Sequence, residues 1–208
     1  MLISESKSFL FFAFNKTASS SIEDVLRPHQ SRVAYRLLQI RYQLTPAPHK
    51  PVFKHVQPDV IRHMMGPKKW QSYFKFCFVR NPFARLVSLY FYHRQIPNDR
   101  HPLASQVNFE EWILAGGSGS ARRSMHDFVT DEAGNIIVDF IGQYENIERD
   151  FETICNRIDI VATLPHVNRS RHTHYATYYT ERARREVERR FARDLEVFDY
   201  RFEEEAPS

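Results

Sequence analysis

The sequence predicts an α/β protein, a parallel sheet flanked by helices in three layers, on two observations. Two apolar runs, FLFFAF at residues 9–14 and YFKFCFV at 73–79, lack the alternation of a half-exposed strand and suit strands buried on both faces. Each is followed by a polar turn and then by apolar residues at helical spacing, so strand, turn and helix recur as a unit. In such a sheet, ligands collect beyond the carboxyl ends of the strands.

Taken in order, the strand at 9–14 stops at Asn15, and Lys16 to Ser21 lead into a helix through Ile22, Val25 and Leu26 that Pro28 ends. The proline-rich stretch TPAPHKP, residues 45–51, reads as a loop before a short strand at 52–56. Gln57, Pro58 and Asp59 begin a helix that Gly66 and Pro67 terminate. After the strand at 73–79, Pro82 opens a helix reaching about Gln95, with Leu86, Leu89 and Tyr90 on its apolar stripe. Asn108 and Glu111 have the spacing of a capping box for a helix through Leu114. The glycine-rich AGGSGSARRS, residues 115–124, reads as a mobile connector. A strand is expected at 136–144 and a helix at 147–158. Thr180 caps a last helix with Ala183, Val187, Phe191 and Leu195 inward. The pairs Arg182–Glu186, Arg184–Glu188 and Glu186–Arg190 make a solvated outer face.

Composition narrows the class. The chain of 208 residues fits one domain over residues 1–208, and its 42% hydrophobic and 14% aromatic content excludes a disordered or fibrous chain. Residues 9–14 follow a polar SESKS stretch and are too few to span a bilayer, so neither a signal peptide nor a membrane span is expected. Cys77 and Cys155 sit in apolar and helical runs without zinc spacing, which fits a reducing, cytoplasmic setting. A net charge of +4 favours anionic ligands without choosing among nucleic acid, nucleotide and polyanion.

Two constellations could carry chemistry. Lys16, Thr17, Ala18, Ser19, Ser20 and Ser21 stand where a buried strand becomes a helix, so backbone N–H groups, hydroxyls, a lysine and the positive helix end converge on an anion. The Walker glycines are absent, and a Ser-rich helix start alone is also an ordinary cap. Arg80 leaves the second buried strand, and Ser88 follows on the next helix with Arg85 and Tyr92 near its face. Alone, Arg80 is equally a structural ion pair. Together the two sites suit a ligand with two separated anionic groups, such as a nucleotide phosphorylated at both ends of its ribose.

FNKTASSS at 14–21 resembles the 5′-phosphosulfate loop, and CFVRNPFARLVSLY at 77–90 the 3′-phosphate motif, of PAPS-dependent sulfotransferases. The nearest pattern is the carbohydrate sulfotransferase-like subgroup, sulfotransferase family 2. LPHVNRSR at 164–171, with YYTE at 178–181 and DLEVFDY at 194–200, is similar to that subgroup's carboxyl end. Asn15 stands where proline is usual, and Ala18 where glycine is common.

The resemblance implies a P-loop nucleotide-kinase-like fold and metal-free sulfuryl transfer from 3′-phosphoadenosine 5′-phosphosulfate (PAPS) to a hydroxyl of an acceptor, of carbohydrate type, by in-line displacement. It further implies that Lys16 neutralises the leaving phosphate and that Thr17 to Ser21 hold the 5′-phosphate. Arg80 and Ser88 would hold the 3′-phosphate, and Ser170 and Arg171 belong to a loop that closes over the nucleotide. Nucleic acid is not among the expected partners.

His55 is the candidate general base, at the end of the expected strand 52–56 on the ligand edge, and the resemblance supports it because the catalytic histidine of related glycan sulfotransferases also lies upstream of the Arg80 motif; Glu23 and Asp59 are fallbacks. His172 and His174 lack a third metal ligand and read as substrate-side loop residues. Arg94, Arg100, Arg122 and Arg123 hint at an anionic acceptor. Two other readings stand beside this one: an ATP-dependent phosphotransferase, against which the missing Walker glycines count, and a non-catalytic nucleotide- or polyanion-binding module, against which Lys16 with His55 counts.

Overall fold

A computed structural model describes residues 1–46, 52–96, 101–165 and 173–204. The chain runs β1 (Leu2–Ser4), β2 (Phe9–Phe12), α1 (Ser19–Leu26), α2 (Arg32–Leu44), α3 (Pro58–Met65), α4 (Pro67–Gln71), β3 (Phe74–Val79) and α5 (Pro82–Gln95). It continues through α6 (Pro102–Gln106), α7 (Phe109–Leu114), α8 (Met125–Val129), β4 (Phe140–Gln143), α9 (Ile147–Arg157), α10 (Glu181–Arg190) and α11 (Ala192–Val197). These residues divide into two compact units, one of Met1–Val79 with Asp127–Val167 and one of Arg80–His126 with Asn168–Ser208.

The first unit holds a sheet in the order β1-β2-β3-β4. β2, β3 and β4 are parallel, with Phe12 opposite Cys77 and Val79 opposite Gln143. Leu2, Phe9, Phe11, Phe76 and Phe78 share one face and pack on Ile22 and Leu26 of α1 and on Phe151 and Ile154 of α9. On the other face Phe12 meets Trp70 of α4, ring centroids 5.9 Å apart, and Phe14 beyond the strand meets Phe128 at 4.9 Å. Both faces are thus covered, which is why the strands read as continuous apolar runs. Gly142 is required by close approach, because a Cβ there would lie 2.5 Å from the Phe78 ring.

Several expectations need correction. Residues 2–4 form an antiparallel edge strand on β2, with Leu2 opposite Phe11. Three residues are too few for a periodic signal, and pairing rather than pattern makes them a strand. Residues 32–44 form a helix that the sequence reading left without structure. The expected strand at 52–56 is instead a 3-10 turn over Phe53–His55. Its buried residues are Phe53 and Val56, a spacing of three rather than two, while Val52 is 73% exposed. Phe53 lies between Tyr35 and Tyr42 of α2, at 5.2 and 5.3 Å. Of the proline-rich loop, residues 47–51 lie outside those described.

In the second unit α5 is buried nearly all round, and its Phe83, Leu86 and Tyr90 join Trp112 and Ile113 of α7 and Ala183 and Val187 of α10 in one core. The capping box at Asn108 and Glu111 is formed, and Thr180 caps α10 through Ala183. The last helix breaks at Phe191 into α10 and α11. Glu186 pairs with Arg189 and Arg190, so Arg189 takes the place expected of Arg182. Within the glycine-rich connector, Gly119–Arg122 form a 3-10 turn capped by Ser118, and Arg122 Nε donates to the Gly116 carbonyl at 3.2 Å.

Candidate active-site residues

The Lys16 turn belongs to the first unit. Beyond β2, Ala13 and Phe14 stay buried, and the chain then turns through two left-handed residues, Lys16 at φ 67° and Ala18 at φ 58°. Such a conformation costs a non-glycine residue about 1–2 kcal/mol. Two side chains stabilise it: Thr17 Oγ1 and Ser19 Oγ both donate to the Phe14 carbonyl, at 3.2 and 2.7 Å. Their hydroxyl protons therefore close the turn, and the donor groups at the start of α1 are its backbone N–H groups with the hydroxyls of Ser20, whose oxygen accepts from Lys54 Nζ, and Ser21. Ala18 is the residue before the helix and supplies no side-chain cap, so the first-turn N–H groups and the positive helix end meet no acceptor from that position.

His55 is tied to the same turn. Its Nδ1 lies 2.9 Å from the Ala13 carbonyl oxygen. A carbonyl only accepts, so Nδ1 carries the proton and the basic lone pair is on Nε2. Next to it, Lys54 Nζ bonds Glu23 Oε2 at 2.9 Å and Ser20 Oγ at 3.4 Å, which fastens the 3-10 turn to α1. The strand expected under His55 is absent, yet the histidine hangs from the residue three places before Lys16. The fallback bases are engaged elsewhere. Glu23 holds Lys54 and the Met1 amino group, and Asp59 pairs with Arg62 Nε at 3.4 Å and His63 Nδ1 at 3.3 Å.

Arg80 and Ser88 belong to the second unit, and both are buried, at 9% and 7% exposure. Asn81 caps α5, its Oδ1 accepting from Phe83 N at 3.0 Å while its Nδ2 donates to the Arg201 carbonyl at 2.9 Å. The Arg80 N–H donates to Met125 Sδ at 3.4 Å. Arg85, three residues before Ser88 on α5, is fully buried. It donates to the carbonyls of Ser120 and Arg123 at 3.4 and 3.1 Å and lies over the Phe191 ring. Burial pushes its guanidinium down to about 10, opposed chiefly by the Asp194 charge.

Asp194 organises the chain segment beside Arg80. It is fully buried and accepts from Ser124 Oγ at 2.5 Å, Met125 N at 2.9 Å and His126 N at 3.0 Å. It thereby caps the start of α8 from a distant part of the chain and fixes the methionine that the Arg80 backbone contacts. Its sequence signals are an acidic residue between the inward-facing Phe191 and Leu195 and its place at the head of the DLEVFDY run. Ser170, Arg171, His172 and Arg100 lie outside the described residues. Arg94 is held by the Tyr90 hydroxyl at 3.1 Å. Among the described residues no group of three His, Cys, Asp or Glu side chains could hold a metal ion, and no helix is long and apolar enough to cross a membrane. Burial pushes the Cys77 thiol up to about 12, which makes it an inert core residue.

The sequence model described as the sulfotransferase family matches residues 1–201. The chain belongs to the sulfotransferase family. An uncharacterized protein of Archaeoglobus fulgidus is 33% identical over 103 residues, which cover 49% of this chain and 80% of that relative. Among solved structures, mouse sulfotransferase SULT7A1 complexed with PAP is similar, with a TM-score of 0.55 at 15% identity over 93% of this chain and 86% of that one. At that identity the likeness speaks to the fold, which is the sulfotransferase fold: a parallel-dominated sheet flanked by helices.

Proposed function

We propose that this sulfotransferase moves the sulfuryl group of PAPS to a hydroxyl of a carbohydrate or similarly hydroxylated acceptor. The observation that supports this best is the register of the sheet. β2 and β3 are adjacent, parallel and paired through Phe12 and Cys77, so the two strands end side by side, with Lys16 four residues after Phe12 and Arg80 next in sequence after Val79. A donor phosphorylated at both ends of its ribose offers one anion to each. The PAP in the mouse sulfotransferase is a nucleotide of that kind.

In this reading the N–H groups opening α1 receive the 5′-phosphate, and Arg80 with Ser88 receives the 3′-phosphate. The acceptor oxygen attacks sulfur as the sulfur–oxygen bond to the 5′-phosphate breaks, and the acceptor proton passes to His55 Nε2. Lys16 offsets the charge that builds on the departing phosphate. The Nδ1–Ala13 bond holds His55 in the tautomer this step needs.

The test is calorimetric titration of the protein with 3′,5′-ADP, 5′-AMP, ADP and ATP, with and without magnesium. Magnesium-independent preference for 3′,5′-ADP over 5′-AMP, lost in Arg80→Ala by roughly 30- to 100-fold, is expected from a charge-assisted phosphate contact. Preference for ATP with magnesium would overturn the reading. Transfer of labelled sulfate from PAPS to a panel of glycans then identifies the acceptor.

A further inference from the structure

α2 presents an apolar row to solvent. Val33, Leu37, Ile40 and Leu44 are 73%, 64%, 45% and 78% exposed. Their spacing of four, three and four places them within a sector of about 60° on one helix face. The opposite face is fastened to the protein, with Ala34 and Tyr42 buried and the rings of Tyr35 and Tyr42 against Phe53. The row therefore points outward by construction, and the exposed apolar residues do not come from a frayed end.

Charge decides what can cover it. The row is bordered on one side by Arg32 and Arg36, while Arg41 on the other side donates to the Met64 carbonyl of α3, and the helix carries no Asp or Glu. A second copy placing its own α2 on this one would set arginines against arginines with no acid to answer them. An anionic surface meets both features at once: apolar side chains enter the boundary between headgroups and acyl chains, while arginines reach out to phosphates. At 13 residues the helix is about 20 Å long, which suits lying on a bilayer and is too short to cross one.

We propose that α2 seats this protein on anionic membranes, with Val33, Leu37, Ile40 and Leu44 inserted and Arg32 and Arg36 on the headgroups. The inference is independent of the sulfuryl-transfer reading. It gives the protein a peripheral attachment and would bring its chemistry to acceptors displayed at a lipid surface.

Vesicle flotation tests it, with phosphatidylcholine vesicles and with vesicles containing 30% phosphatidylserine as probes. Binding to the anionic vesicles at low salt is expected, weakening as salt rises. Arg32→Gln with Arg36→Gln should lower partitioning by roughly 20-fold, since each arginine near such a surface contributes about fivefold. Leu37→Gln with Leu44→Gln should lower it by at least about tenfold even at low salt. A charge-matched control, Arg182→Gln with Arg185→Gln on α10, should stay within about twofold of the parent. The arginine pair removes no apolar contact, so it keeps the test decisive should the leucine pair perturb folding. No binding to anionic vesicles, or equal losses in the control, would overturn the proposal. So would a dimer in light scattering that the Leu37/Leu44 variant dissolves, because a second copy would then be the occupant.

Discussion

Replacing Asp194 should damage both the second unit and the binding of the nucleotide's 3′-phosphate. Asp194→Ala strands two buried N–H groups, those of Met125 and His126, and the Ser124 hydroxyl. Each buried donor without an acceptor costs about 1–3 kcal/mol. The substitution also removes the main opposing charge from the wholly buried Arg85. Because these losses share one site and are not additive, about 4 kcal/mol is expected, near the range for breaking a buried ion pair. Asp194→Asn keeps one oxygen for the Ser124 and His126 donors but turns its amide toward the Met125 N–H, so about 2 kcal/mol is expected. Urea denaturation of the parent, both single variants and Asp194→Ala with Arg85→Met measures this. The double variant should recover part of the loss, because the uncompensated guanidinium has gone. In calorimetry, Asp194→Asn should weaken 3′,5′-ADP binding through the Met125 contact to Arg80 while leaving 5′-AMP binding near the parent value. A loss below about 1 kcal/mol in Asp194→Ala would refute the reasoning, as would equal weakening of both nucleotides.

Lys16→Ala should reduce the turnover of PAPS far more than nucleotide affinity, since its charge counts most as the leaving phosphate develops; equal losses in steady-state kinetics and calorimetry would make it a binding residue only. His55→Ala should abolish transfer and leave 3′,5′-ADP binding intact, whereas near-parent turnover would remove it as the base. Ala18→Gly should raise stability by about 1 kcal/mol in urea denaturation, because glycine adopts the φ of 58° without strain, its greater chain entropy offsetting part of the gain. The guanidinium groups of Arg189 and Arg190 hold the Glu186 carboxyl down at about 2 from 4.5, so the bond's stabilisation is complete above pH 4.5 and is lost as pH falls towards 2. With Arg189 74% exposed, solvent screening leaves roughly 1 kcal/mol; Glu186→Gln should cost that at pH 7, and its difference from the parent should vanish near pH 2.

What the sequence determined by itself was the part of the fold written in local chemistry. The strands at 9–14 and 73–79 were legible because both faces are buried, and α5 because Asn81 and Pro82 fix its start. That Lys16 follows one buried strand and Arg80 the other was legible because each apolar run stops at a polar residue. Ala18 occupying a common glycine position was visible too, and its left-handed φ supplies the physical reason glycine suits that position. Tertiary structure decided what depends on distant partners. β1 is a strand only because β2 lies beside it, and residues 53–55 turn because Phe53 must reach Tyr35 and Tyr42. Spacing put Arg85 near the Ser88 face, and it is a buried anchor because the carbonyls of Ser120 and Arg123 and the Asp194 charge surround it. The tautomer of His55 was beyond any pattern, since it is set by one carbonyl 42 residues earlier in the chain. Periodicity and capping act within a few residues and can be read along the chain, whereas burial, buried charge and tautomer are properties of what the folded chain brings near.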